Sequence, residues 1–376
     1  MKLQLNRLQF LKAWQMAERT TNSRVPQTSL YSVHIRCGQD GTFLEATDLK
    51  TSISVAAEGV QVVEEGAALL PVRVIGELLK KIDSEVVELS VTQERGMLVA
   101  GKNQYDVAVF PTDLFPDMPR PSSDEPFALV PSGELIRVLD EGIVAGSVSE
   151  EFPRYIGACQ LQCQKGELRA VSTDGRRLSL SKCLCESGTD GSVLVPLAPM
   201  KEFQRFLQSV ESDATVRVFT DQALVHFCLP GLEYSVRRIE SSFPNYEKVL
   251  RKDFTSTLTV NRGLFIGALE RVDLLVRENN HLVVVTLSPS GEMTLVGRSP
   301  EVGKACEHLS GMITGESLKA AFNANYMLDG LRAFHGDEVY MTFNGSNGQM
   351  NMMRPGSDTF LYMLMPVNLQ QSEYED

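Results

Sequence analysis

No apolar run in this chain approaches the roughly 18 residues that cross a bilayer as a helix, and the opening Met1-Lys2-Leu3-Gln4-Leu5-Asn6-Arg7 lacks the basic-then-apolar order of an export signal. A cytoplasmic location is expected. Cationic residues are in short supply too: 36 Lys+Arg against 48 Asp+Glu leave −12, the wrong sign for holding nucleic acid by bulk electrostatics. If DNA is a partner, something other than net charge keeps it in place. The seven cysteines (Cys37, Cys159, Cys163, Cys183, Cys185, Cys228, Cys306) are odd in number and lie in apolar or strand-like surroundings, which suits reduced thiols. Neither Cys159 with Cys163 nor Cys183 with Cys185 has the second pair that a four-ligand zinc shell needs, and the five histidines are scattered, so no metal is expected.

The signatures of catalysis are missing as well. There is no GxxxxGK[ST], no GxGxxG opening a helix and no GxSxG. Ser179-Leu180-Ser181-Lys182 has Ser-x-x-Lys spacing, and a hydrolase with Ser181 as nucleophile and Lys182 as base is the rival it raises; it lies on an apparent strand without the accompanying motifs. Asn344-Gly345-Ser346 reads as a hairpin turn. No catalytic residue and no cofactor is expected.

What is present is an ordinary globular composition, 43% apolar and 22% charged over 376 residues, enough for two or three domains of about 150 residues. Internal repetition organises it. A polar turn between alternating strands recurs around Val91, Val218 and Phe343, 127 and 125 residues apart. Ala46-Thr47-Asp48 returns as Ser172-Thr173-Asp174 after 126 residues, and Phe115-Pro116-Asp117-Met118 as Phe243-Pro244-Asn245-Tyr246 after 128. Leu69-Leu70-Pro71, Leu194-Val195-Pro196 and Ala321-Phe322-Asn323 each run from a strand into a helix. Punctuation is densest at Pro111 to Pro126, with five prolines, and at Glu240 to Ser256. Three similar domains follow, 1–125, 126–253 and 254–376, each an α+β unit with two helices on one face of antiparallel sheet.

Thr173-Asp174-Gly175-Arg176-Arg177-Leu178, Phe243-Pro244-Asn245-Tyr246-Glu247-Lys248-Val249-Leu250 and the ending Tyr362-Met363-Leu364-Met365-Pro366-Val367-Asn368-Leu369 resemble the bacterial sliding clamp family, the beta subunit of DNA polymerase III. In motif order the resemblance covers residues 1–369. It implies three clamp domains per chain and a head-to-tail homodimer closing a six-domain ring around double-stranded DNA. Expected partners are then the polymerase III catalytic subunit, the clamp loader, and other polymerases and repair proteins that carry clamp-binding peptides.

That reading is physically coherent. Helices of ~12 residues are ~18 Å long and can line a hole of duplex size. The six candidate helices (6–19, 71–82, 132–143, 198–210, 261–272, 323–334) carry +2, +2, −2, +1, +1 and 0, leaving −16 for the rest of the chain. Such a lining attracts phosphates weakly without fixing a register, as sliding requires. Lys12, Arg73, Lys80, Lys81, Lys201 and Arg205 are the helix candidates for DNA contact. The resemblance adds Arg24, and Arg154 beside Glu150, where the family usually has Gln.

By the same resemblance a peptide pocket would be walled by Ile156, Thr173, Gly175, Arg176, Arg177, Leu178, Pro244, Lys248, Val249, Met363, Met365, Pro366, Val367 and Leu369. Lys248 stands where arginine is common, and Asn368 replaces a basic residue. Dimerisation maps to Tyr105 and Val107 against Leu274 and Leu275. The acidic tail 370–376 reads as a solvated end, or as a segment that competes for the pocket.

Overall fold

In the computed structural model, residues 1–22, 27–92, 95–148, 153–186, 189–209, 214–250 and 253–368 are described. Among the described residues six helices interrupt antiparallel strands: α1 (Arg7–Glu18), α2 (Val72–Lys81), α3 (Ser132–Gly142), α4 (Leu197–Leu207), α5 (Arg262–Val276) and α6 (Ala324–Ala333). They fall where the apolar spacing places them, with two differences in length. α4 stops at Leu207, short of the expected end at 210, and α5 runs four residues past the expected end at 272, because Val272 and Val276 stack one turn apart on its buried side. No described helix is long and apolar enough to cross a membrane.

The repeat is visible in how the helices begin. An asparagine ends the preceding strand and its side chain accepts an N–H three residues on: Asn6 from Gln9 (3.2 Å), Asn261 from Leu264 (2.9 Å) and Asn323 from Tyr326 (3.0 Å). The first residue of α1, Arg7, donates to the carbonyls of Leu79 in α2 and Ser84 beyond it; the first residue of α5, Arg262, does the same to Leu331 in α6 and Gly336. Each guanidinium therefore occupies carbonyls that a helix end leaves open.

The chain divides into two compact units. One is chiefly Met1–Ser132 with Lys201–Arg238. It holds a five-stranded sheet, in spatial order 60–64, 2–6, 86–91, 95–100, 103–108, and an eight-stranded sheet, in order 128–131, 215–220, 224–229, 232–237, 51–56, 41–47, 32–38, 66–71. Helices α1 and α2 pack closely in it: Trp14 is fully buried and its Nε1 donates to the Val72 carbonyl (3.0 Å). A Cβ on Gly76 would come within 3.1 Å of that indole nitrogen, so glycine permits the approach.

The other unit is Gly133–Glu186, Asp190–Met200 and the residues from Ile239 on. Its nine-stranded sheet runs 191–196, 158–164, 167–173, 177–184, 360–364, 350–353, 338–343, 256–261, 312–315, and its four-stranded sheet 303–310, 292–299, 282–287, 318–323. Phe265, Leu269, Val283, Phe322, Phe343 and Tyr362 lie in one buried apolar cluster with the inner side of α5 and α6. A Cβ on Gly330 of α6 would sit 2.5 Å from the Tyr362 ring, which makes that helix-to-strand contact possible only with glycine.

Three α+β units with antiparallel sheet are expected from the repeat, and the sheets also join one unit to the next. The two large sheets run across repeat boundaries: Thr51–Ala56 pairs with Leu232–Arg237, and Arg177–Leu184 with Phe360–Leu364. An unpaired strand edge leaves a row of N–H and C=O groups open, and pairing the last strand of one repeat with the hairpin of the one before closes it.

Candidate functional site

The Thr173-Asp174-Gly175 turn joins the strands Glu167–Thr173 and Arg177–Leu184. The Thr173 hydroxyl donates to the Arg177 carbonyl (2.6 Å) and accepts the Gly175 N–H (3.1 Å), while one Asp174 oxygen accepts the N–H groups of Arg176 and Arg177, both at 3.0 Å. Gly175 has φ +85°, the left-handed region that glycine enters without strain. Every residue of the motif thus serves one rigid corner.

Arg177 points inward. Its guanidinium bonds Asp174 (2.9 Å), Asp329 of α6 (2.6 Å) and the Tyr362 hydroxyl (3.1 Å), and lies 4.1 Å over the Tyr326 ring. Burial opposes its charge, but Tyr362, Asp329 and Asp174 outweigh burial and raise its pKa. The residue fixes the wall; Arg176, next to it, is exposed, and its carbonyl accepts the Met365 N–H (2.9 Å).

Across the strand pair Leu178 stands opposite Met363 and Leu180 opposite Leu361. Val171, Leu178, Leu180, Met363 and Tyr246 form one apolar cluster, with Phe243, Leu250 and Leu361 packed on it. The Phe243-Pro244 segment is anchored by Tyr246, whose hydroxyl donates to Gln162 (2.7 Å) and whose ring meets Phe243 edge-on; Phe243 also meets Tyr155. Ile156, beside Tyr155, is half-buried. The short turn Tyr246–Lys248 leaves Val249 47% exposed, and past the last strand Met365 and Val367 are 42% and 43% exposed. Val367 is tied to Ala321 by a backbone bond of 2.8 Å. Thr173, Leu178 and Met363 are therefore buried parts of a wall whose apolar rim is Val249, Met365, Pro366 and Val367, with Pro244, Lys248 and Arg176 exposed around it. Leu369 and the tail 370–376 lie outside the described residues.

Of the helix cations, Lys12 on α1 and Arg73 on α2 are exposed. Lys80 is held by Glu77 (3.2 Å) and Glu18 (3.6 Å), Lys81 by Glu77 (4.0 Å), and Arg205 by Glu202, which also takes Arg19 at 3.2 Å. Lys201 is half-buried, Arg154 is exposed, and Arg24 and Glu150 lie outside the described residues.

Tyr105 and Val107 lie on Asn103–Ala108, the edge strand of the five-stranded sheet. Tyr105 is half-buried, but Val107 is 6% exposed and packs over Gly96, where a Cβ would come within 2.8 Å of it. Val107 is thus core within its own chain. Leu274, on the last turn of α5, is 59% exposed, and Leu275 is half-buried.

The hydrolase rival finds no support in the geometry. Ser181 is fully buried and donates to Glu141 (2.6 Å); Lys182, its neighbour on a strand, turns to the opposite face. Asp358 and Glu167 bond the Lys182 ammonium and raise its pKa, the reverse of what a base needs. Among the described residues no three His, Cys, Asp or Glu side chains are grouped to hold a metal ion.

Family models for the N-terminal, central and C-terminal domains of the DNA polymerase III beta subunit match residues 1–119, 130–245 and 247–368. The chain belongs to this family. The Beta sliding clamp of Bacillus subtilis is 25% identical over 380 residues, 98% of this chain and 99% of that one. The solved DNA polymerase sliding clamp of Bacillus subtilis superposes with a TM-score of 0.91 at 23% identity, over 98% of this chain and all of that one. The DNA polymerase III beta subunit of Thermotoga maritima gives 0.88 at 25%, with the same coverage. Three clamp domains follow, and the wall described above draws its parts from the central and C-terminal domain matches.

Proposed function

We propose that this chain acts as a DNA sliding clamp with no catalysis of its own. Two copies close head to tail around duplex DNA, and peptides of the replicative polymerase, the clamp loader and repair proteins seat a leucine or phenylalanine on the Leu178–Met363 wall. The observation that carries this reading is the combination of a rigid apolar floor with a half-exposed apolar rim drawn from segments more than 100 residues apart in sequence. In this reading Ile156, Pro244, Lys248 and Arg176 edge the ligand and Arg177 holds the wall. Domain boundaries fall near 125/126 and 253/254, and the protein works in the cytoplasm.

Lys12 and Arg73 are the strongest candidates for transient phosphate contact, since Lys80, Lys81 and Arg205 are already shared with carboxylates. At ring closure, Leu274 and Tyr105 supply the apolar contact while Val107 supports the edge strand from within. Retention is topological, so clamp loaded on closed circular DNA survives salt that strips an electrostatic binder and is lost once the circle is cut, because counterion release weakens contacts and not linkage. Equal loss from circles and linear DNA at one salt concentration contradicts the proposal. Leu274→Ala with Leu275→Ala converts the dimer to folded monomers in sedimentation; a dimer that persists rejects the interface.

A further inference from the structure

The hairpin that carries the peptide wall is pinned at one end by the Thr173 corner, and two thiols meet at its other end. Cys163 lies near the end of the strand Ala158–Gln164, and Cys185 follows the last residue of Arg177–Leu184. Their Sγ atoms are 3.4 Å apart, although 22 residues separate them in the chain. The backbone brings them there. Leu168 stands opposite Cys163 on one side and Cys183 on the other, and beyond that row the Cys185 N–H donates to the Gly166 carbonyl (2.9 Å). Gly166 belongs to the tight turn that follows Cys163, where Lys165 (φ +53°) and Gly166 (φ +74°) fold the chain back on itself.

The two sulfurs differ in access: Cys163 is fully buried and Cys185 half-buried. A small reagent therefore reaches Cys185 first, with Cys163 behind it to resolve what forms. Burial, the adjoining Cys163 and Cys183 thiols and the Glu167 carboxylate push the Cys185 thiol up to about 12, and Glu134 and Arg137 of α3 face Cys183. Its thiolate is scarce at neutral pH, so reaction is slow. The same environment gives the reduced pair no stabilisation as thiolate, the reverse of dithiols that oxidise strongly because their thiolate is held. A disulfide formed here is slow to appear and hard to reduce. Both cysteines lie in the central-domain match, whereas the ring contacts proposed above lie in the other two, so access to Cys185 does not depend on ring opening.

We infer that Cys163 and Cys185 form an intramolecular disulfide by exchange with small disulfides, and that this bond staples the wall hairpin at the end away from its corner. The Cys185 Sγ gives its proton to solvent and attacks one sulfur of the small disulfide. The new S–S bond forms as the old one breaks, and the leaving thiolate takes up a proton and departs as a free thiol. The Cys163 Sγ then gives up its proton and attacks the Cys185 Sγ, the mixed disulfide breaks, and a second small thiol departs protonated. Two protein thiols are oxidised as one small disulfide is reduced, and no other oxidant enters the balance.

The test incubates the full chain with oxidised glutathione and maps its peptides by mass spectrometry. The internal disulfide joins the peptides of Cys163 and Cys185 and removes two hydrogens, whereas an adduct adds a glutathionyl group. The joined peptide is expected, forming about tenfold faster for each pH unit between about pH 7 and about pH 9, because the thiolate fraction rises in that proportion below the thiol pKa. The oxidised chain melts several degrees higher, as closing a loop of this length predicts. Cys163→Ala stops the reaction at a glutathionylated Cys185, and Cys185→Ala leaves Cys163 unmodified. Linkage of Cys183 in place of either cysteine, glutathionylation of Cys163 in Cys185→Ala, no joined peptide across the pH range, or a melting temperature that does not rise on oxidation would each overturn the inference.

Discussion

Thr47-Asp48 and Thr173-Asp174, 126 residues apart, turn the same corner twice. In the first, the Thr47 hydroxyl donates to the Thr51 carbonyl (2.8 Å) and accepts the Leu49 N–H (3.0 Å), and Asp48 accepts the N–H groups of Lys50 (2.9 Å) and Thr51 (2.6 Å). The second repeats each of these bonds four and two residues along in the same order. Beyond the corner the two part. The first sets Ser52 opposite Ser235 and Ser54 opposite Glu233, where the second sets Leu178 opposite Met363 and Leu180 opposite Leu361. Glu45 occupies the position of Val171, and the first junction carries a cavity of about 310 Å³ in whose lining the charged and polar Arg36, Glu45, Ser54 and Glu233 stand beside apolar side chains. Identical backbone hydrogen bonding thus supports an apolar wall at one junction and a charged hollow at the other. Under the proposed function, peptide binding belongs to the lining and not to the corner.

The largest effect should come from the residue that braces the second corner and is absent from the first, where Thr51 stands in place of Arg177. Arg177→Thr strips Asp174, Asp329 and Tyr362 of their shared cation, at a cost of about 3–5 kcal/mol, typical of breaking a buried pair. Thr51→Ala loses the hydroxyl bond to Asp48 (2.9 Å) and the one shared with Tyr234, about 1 kcal/mol each. Denaturant midpoints of the two variants measure the contrast, and similar shifts would mean that Arg177 is not the brace.

Exchanging the linings comes next. Leu178→Ser with Met363→Ser gives the second junction the residues of the first and should weaken binding of a peptide with leucine and phenylalanine anchors by at least about 100-fold, as loss of central apolar anchors does. Titration calorimetry of the folded variant reads it.

The corners themselves predict a smaller effect. Leu49 holds φ +69° where Gly175 holds +85°. Leu49→Gly should stabilise the protein and Gly175→Leu destabilise it, each by about 1 kcal/mol, because only glycine enters this region without strain. Opposite shifts in thermal melting are the expected result.

The smallest effect is pH-dependent. Burial would raise the Glu167 carboxyl, but hydrogen bonds from Arg169 and Lys182 outweigh it and hold it below the usual glutamate range; Gly41 occupies the matching position in the first repeat. A lowered folded pKa gives stability that is present above the unfolded value near about 4.3 and is lost as pH falls through the folded value. Glu167→Gln should therefore flatten the fall in melting temperature between about pH 5 and about pH 3, by less than about 1 kcal/mol for a partly exposed pair.

Much of this organisation is legible in the amino-acid order, because turns and helix starts are written in consecutive residues. The corner at Thr173 needs only the run Thr-Asp-Gly, and helix positions need only apolar spacing. Partners far apart in the chain leave no such mark. Arg177 reads as part of the pocket wall, and that it braces the corner shows only when Asp329 and Tyr362 are seen to enclose it. Val107 reads as interface, but Gly96 on the neighbouring strand opens a pocket for it inside its own chain. The twin braces Arg7 and Arg262 lie at matching helix starts, yet their acceptors are carbonyls, which no residue type reveals.

The contrast between the junctions is tested most directly by hydrogen exchange of the full chain with and without a clamp-binding peptide. The account predicts slowed exchange in Gly175–Leu178, around Val249 and in Met365–Val367, with Leu49–Ser52 and Leu232–Ser235 unchanged. Protection at the first junction, alone or together with the second, would contradict it.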